Sequence, residues 1–215
     1  MREEVIIIEN VCKSFRDEQV LKNITYTLKA GKIYGLIGNN GSGKTVLLKC
    51  ICGFLIPDSG RILVRGKQIG RDVDFPENIG AIIESPGFLP NMTGMKNLRI
   101  LAALNGKIKN DDIRKAVCKV GLNPDLKKNV GKYSLGMRQR LGIAQAIMEN
   151  PDILILDEPF NGLDKKGIEE IRRLIQELKQ EGKTILLVSH NQKDIDILCD
   201  EVCEIDNGRL EVLTK

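Results

Sequence analysis

What this chain lacks narrows its reading first. No apolar run approaches the roughly 20 residues that a membrane-spanning helix needs, since runs such as Val5–Ile8, Ile153–Leu156 and Ile185–Val188 are only a few residues long. That excludes a chain crossing a bilayer on its own helices. The opening Met1-Arg2-Glu3-Glu4 carries both signs of charge and leads into an apolar stretch too short for a secretory core, so a cytoplasmic location is expected. Six cysteines, at 12, 50, 52, 118, 199 and 203, show no paired CxxC spacing. Reduced, buried thiols are therefore predicted, with neither a disulfide framework nor a zinc site. The net charge of +4 comes from bases interleaved with acids, so no basic block points to nucleic acid. Histidine occurs once, as His190.

What is present supports a globular domain. The 215 residues, 42% of them hydrophobic, suffice for a substantial core. The first third reads as short strands: Val5–Glu9, Gln19–Leu21, Ile24–Leu28, Ile33–Ile37 and Gly60–Val64, wrapped around one helix over Val46–Cys52. A buried strand at Ile79–Ile83 precedes the breakers Pro86, Pro90 and Gly94, after which helical patterns cover 95–105 and 110–120. Ser134 then caps a helix running to about Glu149, Asn150-Pro151 ends it, and Ile153–Leu156 is a fully buried strand. The spacing of Ile168, Ile171, Leu174, Ile175 and Leu178 predicts a helix stopped by Gly182, with Thr184–Ser189 the next parallel strand. A helix over 191–198 and a hairpin turned at Asn207-Gly208 complete the chain.

Chemistry concentrates where strands end. Gly38-Asn39-Asn40-Gly41-Ser42-Gly43-Lys44-Thr45 lies between a strand and a helix, the setting of a phosphate-binding loop. Its glycines let backbone N–H groups turn inward around a phosphate, with the helix N-terminus adding its dipole. Lys44 then bridges the outer phosphates and the Thr45 hydroxyl ligates Mg²⁺. Asp157 and Glu158 close the strand Ile153–Leu156 at the sheet edge where ligands of open α/β folds bind. Asp157 is placed to hold the metal ion through its water shell, and Glu158 to polarise an attacking water. His190 follows the strand Thr184–Ser189 at that same edge, within reach of a terminal phosphate or of Glu158. Phe15 suits either the core or stacking on an adenine face.

These residues, taken together, resemble the nucleotide-binding subunit of ATP-binding-cassette (ABC) transporters. The phosphate loop and Asp157-Glu158 look like that family's Walker A and Walker B motifs, and Tyr133-Ser134-Leu135-Gly136-Met137-Arg138-Gln139-Arg140 resembles its LSGGQ signature. Ser134 and Gly136 open a helix there, offering a hydroxyl and N–H groups to an anion. Asn161-Gly162-Leu163-Asp164 is similar to the D-loop, His190 to the switch histidine and Phe15 to the adenine-stacking aromatic.

The resemblance implies an α/β P-loop NTPase fold of the ABC ATPase type: a mainly parallel core sheet, an N-terminal antiparallel β subdomain and a helical subdomain. The boundaries expected are 1–84 and 151–215 for the nucleotide-binding core and 85–150 for the helical signature subdomain, all within one domain. It further implies an ATPase using ATP and Mg²⁺, with two chains, as a homodimer or heterodimer, sandwiching ATP between one chain's phosphate loop and the other's signature. Integral membrane permease subunits, carried on separate chains, would receive the work at the inner face of the cell membrane.

Three departures from the family pattern stand out. Leu135 and Met137 replace the usual glycine and glutamine of the signature, and Glu84 stands at the Q-loop position in place of glutamine, where it can still ligate Mg²⁺. The end at Lys215 reads as leaving no regulatory extension. The wording of Ile83–Gly94 with Ser134–Arg140 resembles the branch serving bacitracin and lantibiotic export or immunity. The rival reading is a soluble ABC ATPase that remodels a macromolecular complex. Against it, the 66–134 interval is too short for a coiled coil and the chain holds one cassette.

Overall fold

The structure, a computed structural model, describes residues 3–16 and 18–213. Two sheets organise it. Strands β1 (Glu4–Phe15), β2 (Glu18–Lys29), β4 (Ser59–Val64) and β5 (Lys67–Gln68) form an antiparallel sheet in the order β2-β1-β4-β5. Strands β3 (Ile33–Ile37), β6 (Ile79–Ile82), β7 (Ile153–Asp157), β8 (Thr184–Val188), β9 (Glu201–Asp206) and β10 (Arg209–Leu213) form the second, in the order β10-β9-β3-β8-β7-β6. Every neighbouring pair in it is parallel except β9 with β10. This is the α/β architecture that the sequence predicts.

The central strands are continuous apolar runs because both their faces are covered. Alternation along each strand divides its residues between two cores. Ile153, Ile155, Leu186 and Val188 point into a cluster shared with α1 (Lys44–Ile51) and the antiparallel sheet. Leu154, Leu156, Ile185 and Leu187 point into a cluster shared with α2 (Gly94–Asn105), α3 (Asn110–Lys119), α4 (Leu135–Ile147) and α5 (Lys165–Gln180). Helix α5 shows how local spacing produces this: Ile171, Leu174, Ile175 and Leu178 fall on one stripe and are all buried. Each such burial is worth roughly 1.5–3 kcal/mol. Asp164 starts the helix by accepting the Gly167 N–H at 2.8 Å, a cap worth about 1 kcal/mol.

The first two strands are longer than the pattern suggests. Asn10 and Asn23 sit at φ 50° and 53° and look like breakers in the sequence, yet β1 and β2 continue past them through register shifts. A bulge accommodates the extra residue while the ladder resumes beyond it. Phe15 is consequently the last residue of β1, opposite Glu18. The cysteines also divide: Cys50, Cys52, Cys199 and Cys203 are buried thiols as expected, Cys12 is half-buried and Cys118 is exposed.

Candidate functional site

Register brings the predicted residues to one sheet edge. Leu36 of β3 lies beside Val188 of β8, and Val188 lies beside Asp157 of β7, so the residues that follow each strand emerge together. The loop after β3 turns through Gly38, Gly41 and Gly43 at φ 140°, 79° and 109°, conformations an L side chain rarely adopts. Space forbids a side chain as well: a Cβ on Gly38 would sit 2.2 Å from the Ile205 carbonyl oxygen. A Cβ on Gly43 would sit 2.9 Å from Leu21 of β2, so the antiparallel sheet buttresses the loop.

Lys44 is buried, and its Nζ donates to the carbonyl oxygens of Gly38 and Asn39, both at 2.8 Å. Burial pulls its pKa down, while the carboxylates of Glu158 and Asp157 oppose that shift. Thr45 Oγ1 lies 3.3 Å from Asp157 Oδ2. Asp157 is buried, which pushes its pKa up against the backbone N–H of Glu84 and the Thr45 hydroxyl.

Glu158 leaves the strand in the left-handed region, at φ 50°. Such a non-glycine conformation costs on the order of 1–3 kcal/mol and must be held by its surroundings. Three bonds hold it. Its N–H donates to Val188 O at 3.0 Å, and its carbonyl accepts from Asn161 N at 3.2 Å and from Gln139 Nε2 at 3.1 Å. Burial first, and the neighbouring charge of Asp157 second, push its carboxyl up to about 7. His190 Nε2 stands 3.3 Å from Glu158 Oε1, in ion-pair range, though that oxygen is buried and accepts no hydrogen bond. A strained carboxyl whose pKa is raised by burial, standing beside an imidazole, is a pairing suited to moving a proton.

These groups line one cavity of about 500 Å³: Gly43, Lys44, Thr45, Asp157, Glu158 and His190 face it together. Asn40, Gly41 and Glu84 also reach it, while Asn39 and Ser42 line an adjoining hollow of about 220 Å³. The remaining predicted residues stand apart. Phe15 is exposed at the end of β1 with Lys13 Nζ 5.6 Å from its ring centre. Ser134 accepts the Met137 N–H at 3.2 Å as the cap of α4, and Gly136 packs against the Gly162 carbonyl. The Glu84 carboxylate, at a residue with φ 59°, is exposed and paired with Lys49 at 2.8 Å, turned to the rim.

Sequence reasoning missed Gln139, whose buried amide fixes the backbone of Glu158, and Val20 of β2, which lines the cavity wall. The first left a signal in the sequence, a polar residue on the helix face that also carries Gly142, Ile143 and Ala146. The second left none, because its placement follows from the packing of two sheets.

The residues present fit a nucleotide's phosphates. The glycine cradle excludes side chains, and the buried hydroxyl of Ser42 makes no hydrogen bond within the chain. Thr45 and Asp157 offer two neighbouring oxygens, as suits Mg²⁺, which takes one or two protein oxygens and fills its shell from phosphates and water. Among the described residues no three His, Cys, Asp or Glu side chains gather into a closed metal cage.

Comparison with known proteins decides the family. The model described as ABC transporter matches residues 21–161. The chain belongs to the ABC transporter family. It is 43% identical over 211 residues to the uncharacterized ABC transporter ATP-binding protein YybJ of Bacillus subtilis (strain 168), covering 98% of this chain and 97% of that one. It is 42% identical to the bacitracin transport ATP-binding protein BcrA of Enterococcus faecalis, covering 97% of this chain and 68% of that one. It is 38% identical to the lantibiotic transport ATP-binding protein SrtF of Streptococcus pyogenes, covering 94% and 87%. A solved ATP-binding subunit of an ABC transporter superposes with a TM-score of 0.86 at 26% identity, covering 97% of this chain and 90% of that one. The dimeric bacterial cassette MJ0796, at 24% identity and a TM-score of 0.87, covers 98% and 99% and shares the fold. This member of the family is the ATP-binding, ATP-hydrolysing subunit of a transporter, using ATP and Mg²⁺ and working with membrane permease subunits. No helix among the described residues is long and apolar enough to cross a membrane.

Proposed function

We propose that this chain is the cytoplasmic motor of an exporter for a peptide antibiotic or a similar compound, held at the inner face of the membrane by its permease. The observation that carries the motor is the single cavity shared by Lys44, Thr45, Asp157, Glu158 and His190. BcrA and SrtF, which act on bacitracin and lantibiotics, support the cargo class through their similarity along this chain.

The geometry supports these residue roles. Lys44 exchanges its two carbonyl partners for the outer phosphates, with the loop from Gly38 through Ser42 and Gly43 supplying backbone N–H groups. Thr45 and Asp157 would hold Mg²⁺, which would supply charge neutralisation. Glu158 takes the proton of the attacking water, and His190 orients that carboxyl and the terminal phosphate. Phe15 covers the adenine. Glu84, now paired with Lys49, would offer a further carboxylate oxygen to that metal.

Ser134 and Gly136 serve the site of a second chain. Leu135 and Gln139 of α4 face this chain's own cavity while Ser134 and Gly136 do not line it, which leaves those two residues for the nucleotide of a second copy. We divide the chain accordingly into a core, 1–84 and 151–215, and a helical part, 85–150. The helical part meets the permease through the exposed Leu104 and neighbouring Leu101, which with Phe75 line a groove of about 490 Å³.

The test is to purify the tagged chain from gently solubilised host membranes. A polytopic permease recovered with it, whose deletion removes resistance to a peptide antibiotic, is the expected result. Recovery in a soluble complex would overturn the transport reading.

A further inference from the structure

We propose that a buried triad, Arg172, Asp194 and Ser189, positions His190 against Glu158 and ties that setting to helix α5. The inference rests on the reading of His190 and Glu158 as a reactive pair.

Ser189 follows β8 and is buried. Its Oγ donates to Asp194 Oδ2 at 3.1 Å and accepts the Asn191 N–H at 3.2 Å. The two residues flanking His190 are thus fastened to one hydroxyl, and the imidazole is carried between them. Asn191 in turn caps α6 (Gln192–Leu198), accepting the Lys193 N–H at 3.0 Å. Asp194, 1% exposed in the first turn of α6, receives Arg172 from α5: Nε at 2.8 Å and Nη2 as well, both on Oδ1. Arg172 is itself buried and gives its Nη1 to Glu169 at 2.6 Å.

None of the three side chains lines the cavity, so they do not touch the reacting atoms. Nor does stability account for them, because a buried ion pair returns little more than its desolvation costs and an apolar packing would serve as well. What the charged pair adds is direction. Helix α5 is capped by Asp164, two residues after Gly162, which with Asn161 lines the cavity. A path of hydrogen bonds therefore runs from the helix that starts at that loop, through Arg172 and Asp194, to Ser189 and the backbone on both sides of His190.

The chain's single histidine makes the test direct: one imidazole Cε1–H resonance in the intact protein reports His190 alone. Ser189→Ala is expected to move or split that resonance and to lower kcat about tenfold with the KM for ATP nearly unchanged, the size a small misplacement commands. Ser189→Thr, which keeps the hydroxyl, is expected to restore both, and Asp194→Asn to displace the resonance as Ser189→Ala does. Ile175→Val loosens the core of α5 and should leave resonance and kcat in place. An unmoved resonance and wild-type kcat in Ser189→Ala would overturn the triad. His190→Ala in parallel separates the two readings: wild-type kcat there overturns the role of His190 itself, whereas loss there without an effect of Ser189→Ala overturns the triad alone.

Discussion

The sheet edge and the N-terminus of α4 both carry family motifs, yet they differ in how much of their chemistry this chain satisfies. At the sheet edge most of the polar groups answer one another: Lys44 to Gly38 and Asn39, Thr45 to Asp157, the Glu158 backbone to Val188, Asn161 and Gln139. At α4 the Ser134 hydroxyl meets only its own helix, and Leu135 beside it is 55% exposed. A site that holds itself together alone is a site for ligand and chemistry. One that stands half open to solvent awaits another surface.

The sharpest way to break that contrast is at Lys44. Lys44→Ala removes the one buried cation of the cradle and should weaken ATP binding by a hundredfold or about that order, read by titration with a fluorescent nucleotide. Loss of turnover with affinity unchanged would place the lysine outside the phosphate site. Glu158→Gln comes next: binding should persist while hydrolysis falls by about two to three orders of magnitude, the range of general-base catalysis.

The same substitution has a stability consequence with a definite sign. The folded carboxyl is raised to about 7 by burial and Asp157, above its unfolded value near 4.5. The protonated form is thus favoured by folding; its contribution is full below the unfolded value and is lost as pH rises through about 7. Glu158→Gln should therefore raise the melting temperature of the nucleotide-free chain by on the order of 5 °C at pH 8 and by little at pH 4. Equal shifts at both pH values would mean that Glu158 is not held in the buried state described.

Sequence alone gave the motifs of the sheet edge because each of their residues belongs to a local pattern: glycines and a lysine between a strand and a helix, two acids after a buried strand. The α4 cap was equally local. Three features were not legible, and for one reason. The continuation of β1 and β2 past Asn10 and Asn23, the support of Glu158 by Gln139 and the wall supplied by Val20 all depend on contacts between distant segments. Glu84 is intermediate, its position predicted but its carboxylate held by Lys49 at the rim. Its variants should have a small effect: Glu84→Gln is expected to change kcat by no more than about threefold and to raise the Mg²⁺ concentration needed, since it removes a negative charge from the metal's surroundings. An unchanged or lowered Mg²⁺ requirement would instead leave Glu84 with Lys49, away from the metal.

The most direct measurement of the central contrast is the mass of Glu158→Gln in solution with Mg²⁺ and ATP, alone and combined with Ser134→Arg. The account predicts a dimer of the 24.0 kDa chain for Glu158→Gln, and a monomer that still holds ATP once Ser134→Arg is added. A Glu158→Gln chain that binds ATP and stays monomeric, or a dimer that survives Ser134→Arg, would contradict it.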